Sequence, residues 1–233
     1  MALKKPYALI FSRKLSAMKE IIAPVDTIIK KTTDSGALDE AAGILKSGGI
    51  CAFPTDTVYG LGAVYTDERA VRRIFAAKGR DEKKPLSILI ADPSQAKQLS
   101  DEIPPEAFKL MKAFWPGALT VIVRKNPSVP DLVSAGKETV GIRMPALKET
   151  LDLIRLAGSP LAAPSANISG RRSSVTFEDV YEDLYGRTDM ILDGGSCPCG
   201  ISSTVVDVSA GKAEILREGE ITRKMITEAI RNA

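Results

Sequence analysis

Arginine in an apolar strand calls for an anion, and this chain of 233 residues places two there, Arg143 in "VGIRMP" and Arg217 in "ILREGE". An unpaired guanidinium is costly to bury, so each needs a carboxylate or phosphate, supplied by the protein or by a ligand. Lys78, Arg80, Lys83 and Lys84 add four cations within the seven residues "KGRDEKK". Facing these cations in composition are segments rich in hydroxyls, amides and glycine: "PTDTVYGLG" (54–62), "APSANISG" (163–170) and "GGSCPCGISST" (194–204). The chemistry such residues do together is to hold an anionic ligand and neutralise its charge.

Each signal has a plainer reading beside it. Asp81 and Glu82 make the basic run a solvated face as readily as a site, and Arg143 could pair internally with an aspartate such as Asp56. "PSANISG" could be only a turn capped by its serines and asparagine. Neither the GxxxxGK[ST] phosphate loop nor a GxGxxG after a strand is present. The joint occurrence of the segments carries more than any one of them.

Composition narrows the chemistry further. The chain has no histidine, which excludes serine–histidine and cysteine–histidine nucleophiles and histidine-ligated metals. A net charge of +3 is too small to imply nucleic-acid binding by itself. The three cysteines form no disulfide framework in a chain of this length. Cys51 lies in an apolar run and reads as core; Cys197 and Cys199 in "CPC" read as loop packing. Reduced cysteines and the lack of a membrane-length apolar stretch fit a cytoplasmic protein without a membrane partner. The first nineteen residues are basic and contain no acid. They could be an organelle presequence, but read more plainly as a flexible extension, or as a start placed upstream of one at Met18, before a domain at 20–233.

These loops must be positioned by the elements between them. "EIIAPV", "ICAF", "LSILIA", "ALTVIVRK", "TVGIRMP", "MILDGG", "STVVDV" and "AEILRE" read as strands, and "SPLAAPSANISG" opens with a short one. Leu38, Ala41, Ala42 and Leu45 recur at helical spacing, as do Ala70, Val71, Ile74 and Phe75. "PPEAFKLMKAFW" and "LKETLDLIRLA" read as helices, Thr176 with Asp179 as a capping box for "FEDVYEDLYG", and Thr222 as the cap of a last helix stapled by Ile221 and Ile226. Strands alternating with helices and then clustering predict a one-piece α/β domain with a twisted mixed sheet and flanking helices. The polar segments all fall at strand ends, where such folds bind ligands.

In this order, "FPTDTVYGLG", "KGR", "KPLSILI", "FWPGALTVIV", "GIRMP", "PLAAPSANISG", "STVVDV" and "ILREGE" resemble the threonylcarbamoyl-AMP synthase family, the YrdC-like domain, from about residue 20 to residue 220. The resemblance implies a single YrdC-like domain with a wide basic cleft. It implies that L-threonine, bicarbonate and ATP, with Mg²⁺ held mostly by the phosphates, become L-threonylcarbamoyladenylate and pyrophosphate for the t6A modification of tRNA. Of the family's K-x-R and S-x-N residues, Lys78, Arg80, Ser165 and Asn167 would contact the phosphates, with Lys78 and Arg80 catalytic. Ser173 and Arg217 would lie on the ATP side, Lys84 near the phosphates where relatives often carry asparagine, and Ala163 would offer backbone contacts to the nucleotide. Thr57 and Arg143 would hold threonine, Arg143 through its carboxylate, with Thr139 a neighbour on the same strand; the glycines of "PTDTVYGLG" would let substrate approach the backbone.

Some relatives carry histidine near Leu89, facing threonine; this chain does not. It also resembles the short form without an extra C-terminal domain. Implied partners are downstream tRNA threonylcarbamoyltransferase proteins. Two alternatives stand beside this one. An RNA-binding or ribosome-maturation module could use the same basic cleft, with Lys83, Lys84, Arg171 and Arg172 on a phosphate backbone. A hydrogenase-maturation carbamoyltransferase could share the domain, but lacks support because its cysteine clusters are missing.

Overall fold

The computed structural model describes residues 25–232. Its ten strands form one mixed sheet. They are β1 (Ile28–Lys31), β2 (Cys51–Phe53), β3 (Gly60–Val64), β4 (Ser87–Leu89), β5 (Leu119–Arg124), β6 (Thr139–Arg143), β7 (Leu161–Ala162), β8 (Met190–Asp193), β9 (Thr204–Asp207) and β10 (Glu214–Arg217). Their spatial order is β1-β8-β2-β3-β7-β4-β6-β5-β9-β10. Flanking helices are α1 (Ala37–Lys46), α2 (Glu68–Lys78), α3 (Pro105–Phe114), the short α4 (Asp131–Ser134), α5 (Lys148–Ala157), α6 (Phe177–Leu184) and α7 (Arg223–Asn232).

The helices form where periodicity and caps agree. α1 buries Ala37, Ala41, Ala42 and Leu45, and α5 buries Leu151, Leu153, Ile154 and Ala157; the two pack on each other. The expected capping box is present at α6: Thr176 Oγ1 accepts from Asp179 N, and Asp179 returns a carboxylate to Thr176 N. Asp67 caps α2 through the amides of Arg69 and Ala70. Gly79 then ends that helix in a left-handed conformation (φ 59°) and turns the chain toward Arg80. Ile226, inside α7, is buried together with Ile221, as the staple requires.

Two strands depart from the sequence reading. Of the "EIIAPV" strand, residues 20–24 lie outside the described residues, and Val25 is not in a strand; the edge strand is β1, three residues on. β3 begins inside "PTDTVYGLG" (54–62), which reads as a strand-end loop. Its partner β2 places Phe53 opposite Gly60 and Cys51 opposite Gly62. A Cβ on Gly62 would lie 2.6 Å from the Phe53 ring, and one on Gly60 3.2 Å. These glycines therefore make room for a core phenylalanine, which corrects the expectation that they admit a substrate.

Candidate active-site cleft

Four neighbouring strands build the floor of the cleft. Leu89 of β4 is in register with Arg143 of β6, and Thr120 of β5 with Val205 of β9. Continuing the β5–β6 register places Thr120 opposite Arg143, so one row crosses the sheet. Walls come from the loops at Thr57–Val58, Arg80–Pro85, Ala163–Ser165 and Ser202–Ser203, with Ser173 and Arg217 completing the lining. The cleft holds about 220 Å³.

Among the described residues, three guanidiniums line this space and no carboxylate does. Arg143 is buried and held on three sides. Its Nε donates to Gly117 O at 3.0 Å, Nη1 to Thr57 Oγ1 at 2.7 Å, and Nη2 to Asp56 Oδ1 at 2.6 Å. The internal pairing with Asp56 is thus formed, behind the lining. Thr55 gives its hydroxyl proton to Val58 O at 2.6 Å, so Thr57 donates to Thr55 Oγ1 at 3.0 Å and keeps a lone pair for Arg143.

Arg80 and Arg217 are placed differently. Arg80 donates from Nη2 to Pro85 O at 3.0 Å, and its buried Nε has no partner among the described residues. Arg217 folds its guanidinium onto Ser203, giving Nε and Nη2 to the carbonyl at 3.0 and 2.8 Å. Neither forms an ion pair among the described residues. Burial lowers the pKa of both, and the charge of Arg143 lowers that of Arg217 further. Two cations lining one cavity without carboxylate partners among the described residues make it a candidate anion site.

Of the residues singled out from sequence, the fold brings Thr57, Arg80, Arg143, Ala163, Ser165, Ser173 and Arg217 together around the cleft. Lys78, Lys84, Asn167 and Thr139 are outside that lining. Lys78 is 1% exposed, and its Nζ donates to Ser165 O and, at 2.5 Å, to Asn167 O. Burial first, and then the charge of Arg80, pull its pKa down to about 7. Asn167 is buried too. Its Oδ1 accepts from Ser165 Oγ at 2.5 Å, and its amide reaches Ile168 O and Arg171 O at 2.9 and 3.0 Å. Together Lys78 and Asn167 fix the loop that presents Ser165. Lys84 is exposed. Thr139 begins β6 opposite Arg124, four residues before Arg143, or roughly 13 Å along the strand.

Thr120, Ser202, Ser203 and Asp56 were not singled out as site residues from the sequence. Thr120 is a buried hydroxyl 2.9 Å from Ser203 Oγ, although 83 residues separate them. Its signal was present as one polar residue in the apolar strand "ALTVIV". Ser202 and Ser203 lie inside the polar segment 194–204, without a mark that distinguishes them from their neighbours. Leu89 also lines the cleft.

Comparison with known proteins bears on this geometry. The model of the Sua5/YciO/YrdC family, described as "Telomere recombination", matches residues 43–219. The threonylcarbamoyl-AMP synthase of Pyrococcus abyssi (strain GE5 / Orsay) is 47% identical over 190 residues, covering 82% of this chain and 56% of its own length. That of Bacillus subtilis (strain 168) is 44% identical over 207 residues, covering 88% and 60%. The chain thus spans little more than half of these relatives. The crystal structure of P. abyssi Sua5 complexed with L-threonine superposes with a TM-score of 0.83 at 44% identity, over 88% of this chain and 60% of that one.

Proposed function

Because the chain belongs to the Sua5/YciO/YrdC family, we propose that its cleft makes L-threonylcarbamoyladenylate and pyrophosphate from L-threonine, bicarbonate and ATP, the adenylate serving t6A formation in tRNA. The observation that carries this reading is a lining that, among the described residues, has no carboxylate, one guanidinium paired with an aspartate behind it and two without a carboxylate partner. A carboxylate and a polyphosphate are two anions of different charge, and the cleft offers two kinds of cation. Likeness to a Sua5 structure complexed with L-threonine supports the amino-acid half.

The chemistry suits a histidine-free site. The threonine amine attacks the bicarbonate carbon, and water leaves as the carbamate forms. A carbamate oxygen then attacks the α-phosphorus, and pyrophosphate departs. No covalent enzyme intermediate is needed; what is needed is position and charge neutralisation. In this reading Arg143 receives the threonine carboxylate beside Thr57, with Leu89 and Thr120 shaping the pocket. Arg80, Ser165, Ser173 and Arg217 hold the triphosphate, Ala163 borders the nucleotide, and Lys84 approaches from the rim. Lys78 and Asn167 act through the Ser165 loop they anchor, and Thr139 stands farther along β6. Guanidiniums and hydroxyls are poor ligands for a divalent cation, so ATP enters as its magnesium complex with the metal on the phosphates. Product passes to a downstream threonylcarbamoyltransferase acting on tRNA.

The test follows the carbon. With isotopically labelled bicarbonate, ATP and threonine, the label is expected in an adenylate that also contains threonine. AMP and pyrophosphate appearing without labelled adenylate would overturn the proposal.

A further inference from the structure

Asp56 stands behind the cleft. Its Oδ1 accepts from Arg143 Nη2 at 2.6 Å and from Ala146 N at 3.0 Å, and the two charged side chains are only 15% and 7% exposed. Arg143 faces the cleft, whereas Asp56 faces a neighbouring hollow of about 470 Å³ with Trp115, Cys199 and Glu220. Its backbone carbonyl also receives Cys199 N, and that of Thr57 receives Gly200 N, so this segment braces the loop leading to Ser202 and Ser203. Of the three guanidiniums in the lining, Arg143 is the one with a carboxylate partner among the described residues.

Resting on the reading of Arg143 given above, we propose that Asp56 is a positioning and specificity-determining residue: it holds the Arg143 fork in place and offsets its charge, so that this end of the cleft takes a singly charged carboxylate and leaves polyphosphate to Arg80 and Arg217.

The physical basis is a difference between two anions. A carboxylate needs two directed N–H donors, which a paired arginine still provides. A polyphosphate is drawn chiefly by net positive charge, which a carboxylate at hydrogen-bond distance largely removes. Without Asp56 the cleft would hold three uncompensated cations, and phosphate oxygens could compete for all of them.

Threonine binding to the full chain is to be measured by calorimetry, with and without inorganic pyrophosphate as the competing probe. Wild-type protein is expected to bind threonine with nearly the same Kd in either case. Asp56→Asn keeps an oxygen acceptor for Arg143 and Ala146 but loses the charge. Threonine alone should still bind within about threefold of wild type, whereas pyrophosphate should now weaken it by about tenfold or more. Asp56→Ala removes the anchor and should weaken threonine binding by roughly 10- to 100-fold in the absence of pyrophosphate. A purely structural role would not create competition by pyrophosphate. The inference is overturned if Asp56→Asn behaves as wild type toward pyrophosphate, or if folded Asp56→Ala binds threonine normally; should the alanine variant not fold, the asparagine variant decides alone. Wild-type protein that binds no threonine would bring down the amino-acid reading itself, before any variant is compared.

Discussion

Exchanging Arg143 for alanine should raise the KM for threonine by about a hundredfold while leaving that for ATP within a fewfold. The proposed contact joins a substrate carboxylate to a guanidinium already fixed by Gly117 O, Thr57 Oγ1 and Asp56. Because those bonds preset its orientation, little entropy is lost when substrate arrives. Lysine should recover only part of the loss. One ammonium cannot span the Gly117, Thr57 and Asp56 acceptors and still present a fork to a carboxylate. Removing Arg143 also leaves Asp56 buried without its partner, which costs stability of about 3 kcal/mol or more. The Asp56→Ala, Arg143→Ala pair separates the effects: stability should return in part, and threonine affinity should not. Steady-state kinetics with each substrate varied in turn, beside thermal melts, will show the split. Equal changes in both KM values would count against the assignment.

Replacing Arg80 and Arg217 together by methionine should have the opposite balance. ATP binding should fall by at least about a hundredfold, since charge-assisted contacts to phosphate are lost at two positions. The ligand-free protein should melt at the same temperature or higher. Neither arginine has a carboxylate partner among the described residues, and burial already disfavours both charges. Removing them relieves the cost of burying two charges and the repulsion between Arg217 and Arg143, and leaves no buried anion behind. The stem of methionine retains much of the packing. Thermal melts with and without ATP read both halves of this prediction, because ligand binding raises the melting temperature by mass action. A variant that still gains the wild-type rise with ATP, or that melts far lower without it, would show that these arginines serve the fold instead.

Local signals in the sequence survived into the structure. The Thr176–Asp179 capping box and the buried stripes of α1 and α2 are set by contacts a few residues apart, so spacing alone reveals them. β3 was hidden because two of its five residues are glycines, poor strand formers whose use here depends on the Phe53 ring across the ladder. β1 was hidden for a different reason: Ile28 and Ile29 lie half-exposed at the sheet edge, without the burial that gives a strand its pattern.

The site was legible as a set of residues and less so as an arrangement. Arg143, Thr57, Arg80, Ser165, Ser173 and Arg217 do converge. Lys78 and Arg80 are two residues apart, yet one is sealed against the carbonyls of 165 and 167 and the other opens on the cleft. The end of α2 and the left-handed turn at Gly79 create that difference, and residue type does not disclose it. Thr120 and Ser203 meet only through the parallel pairing of β5 with β9, which follows from the whole topology.

The most direct test of the account is pyrophosphate release by the purified chain with ATP and Mg²⁺, omitting threonine and bicarbonate in turn. Release is expected to require both. Release that persists without either would mean that the cleft activates ATP for some other acceptor, and would contradict it.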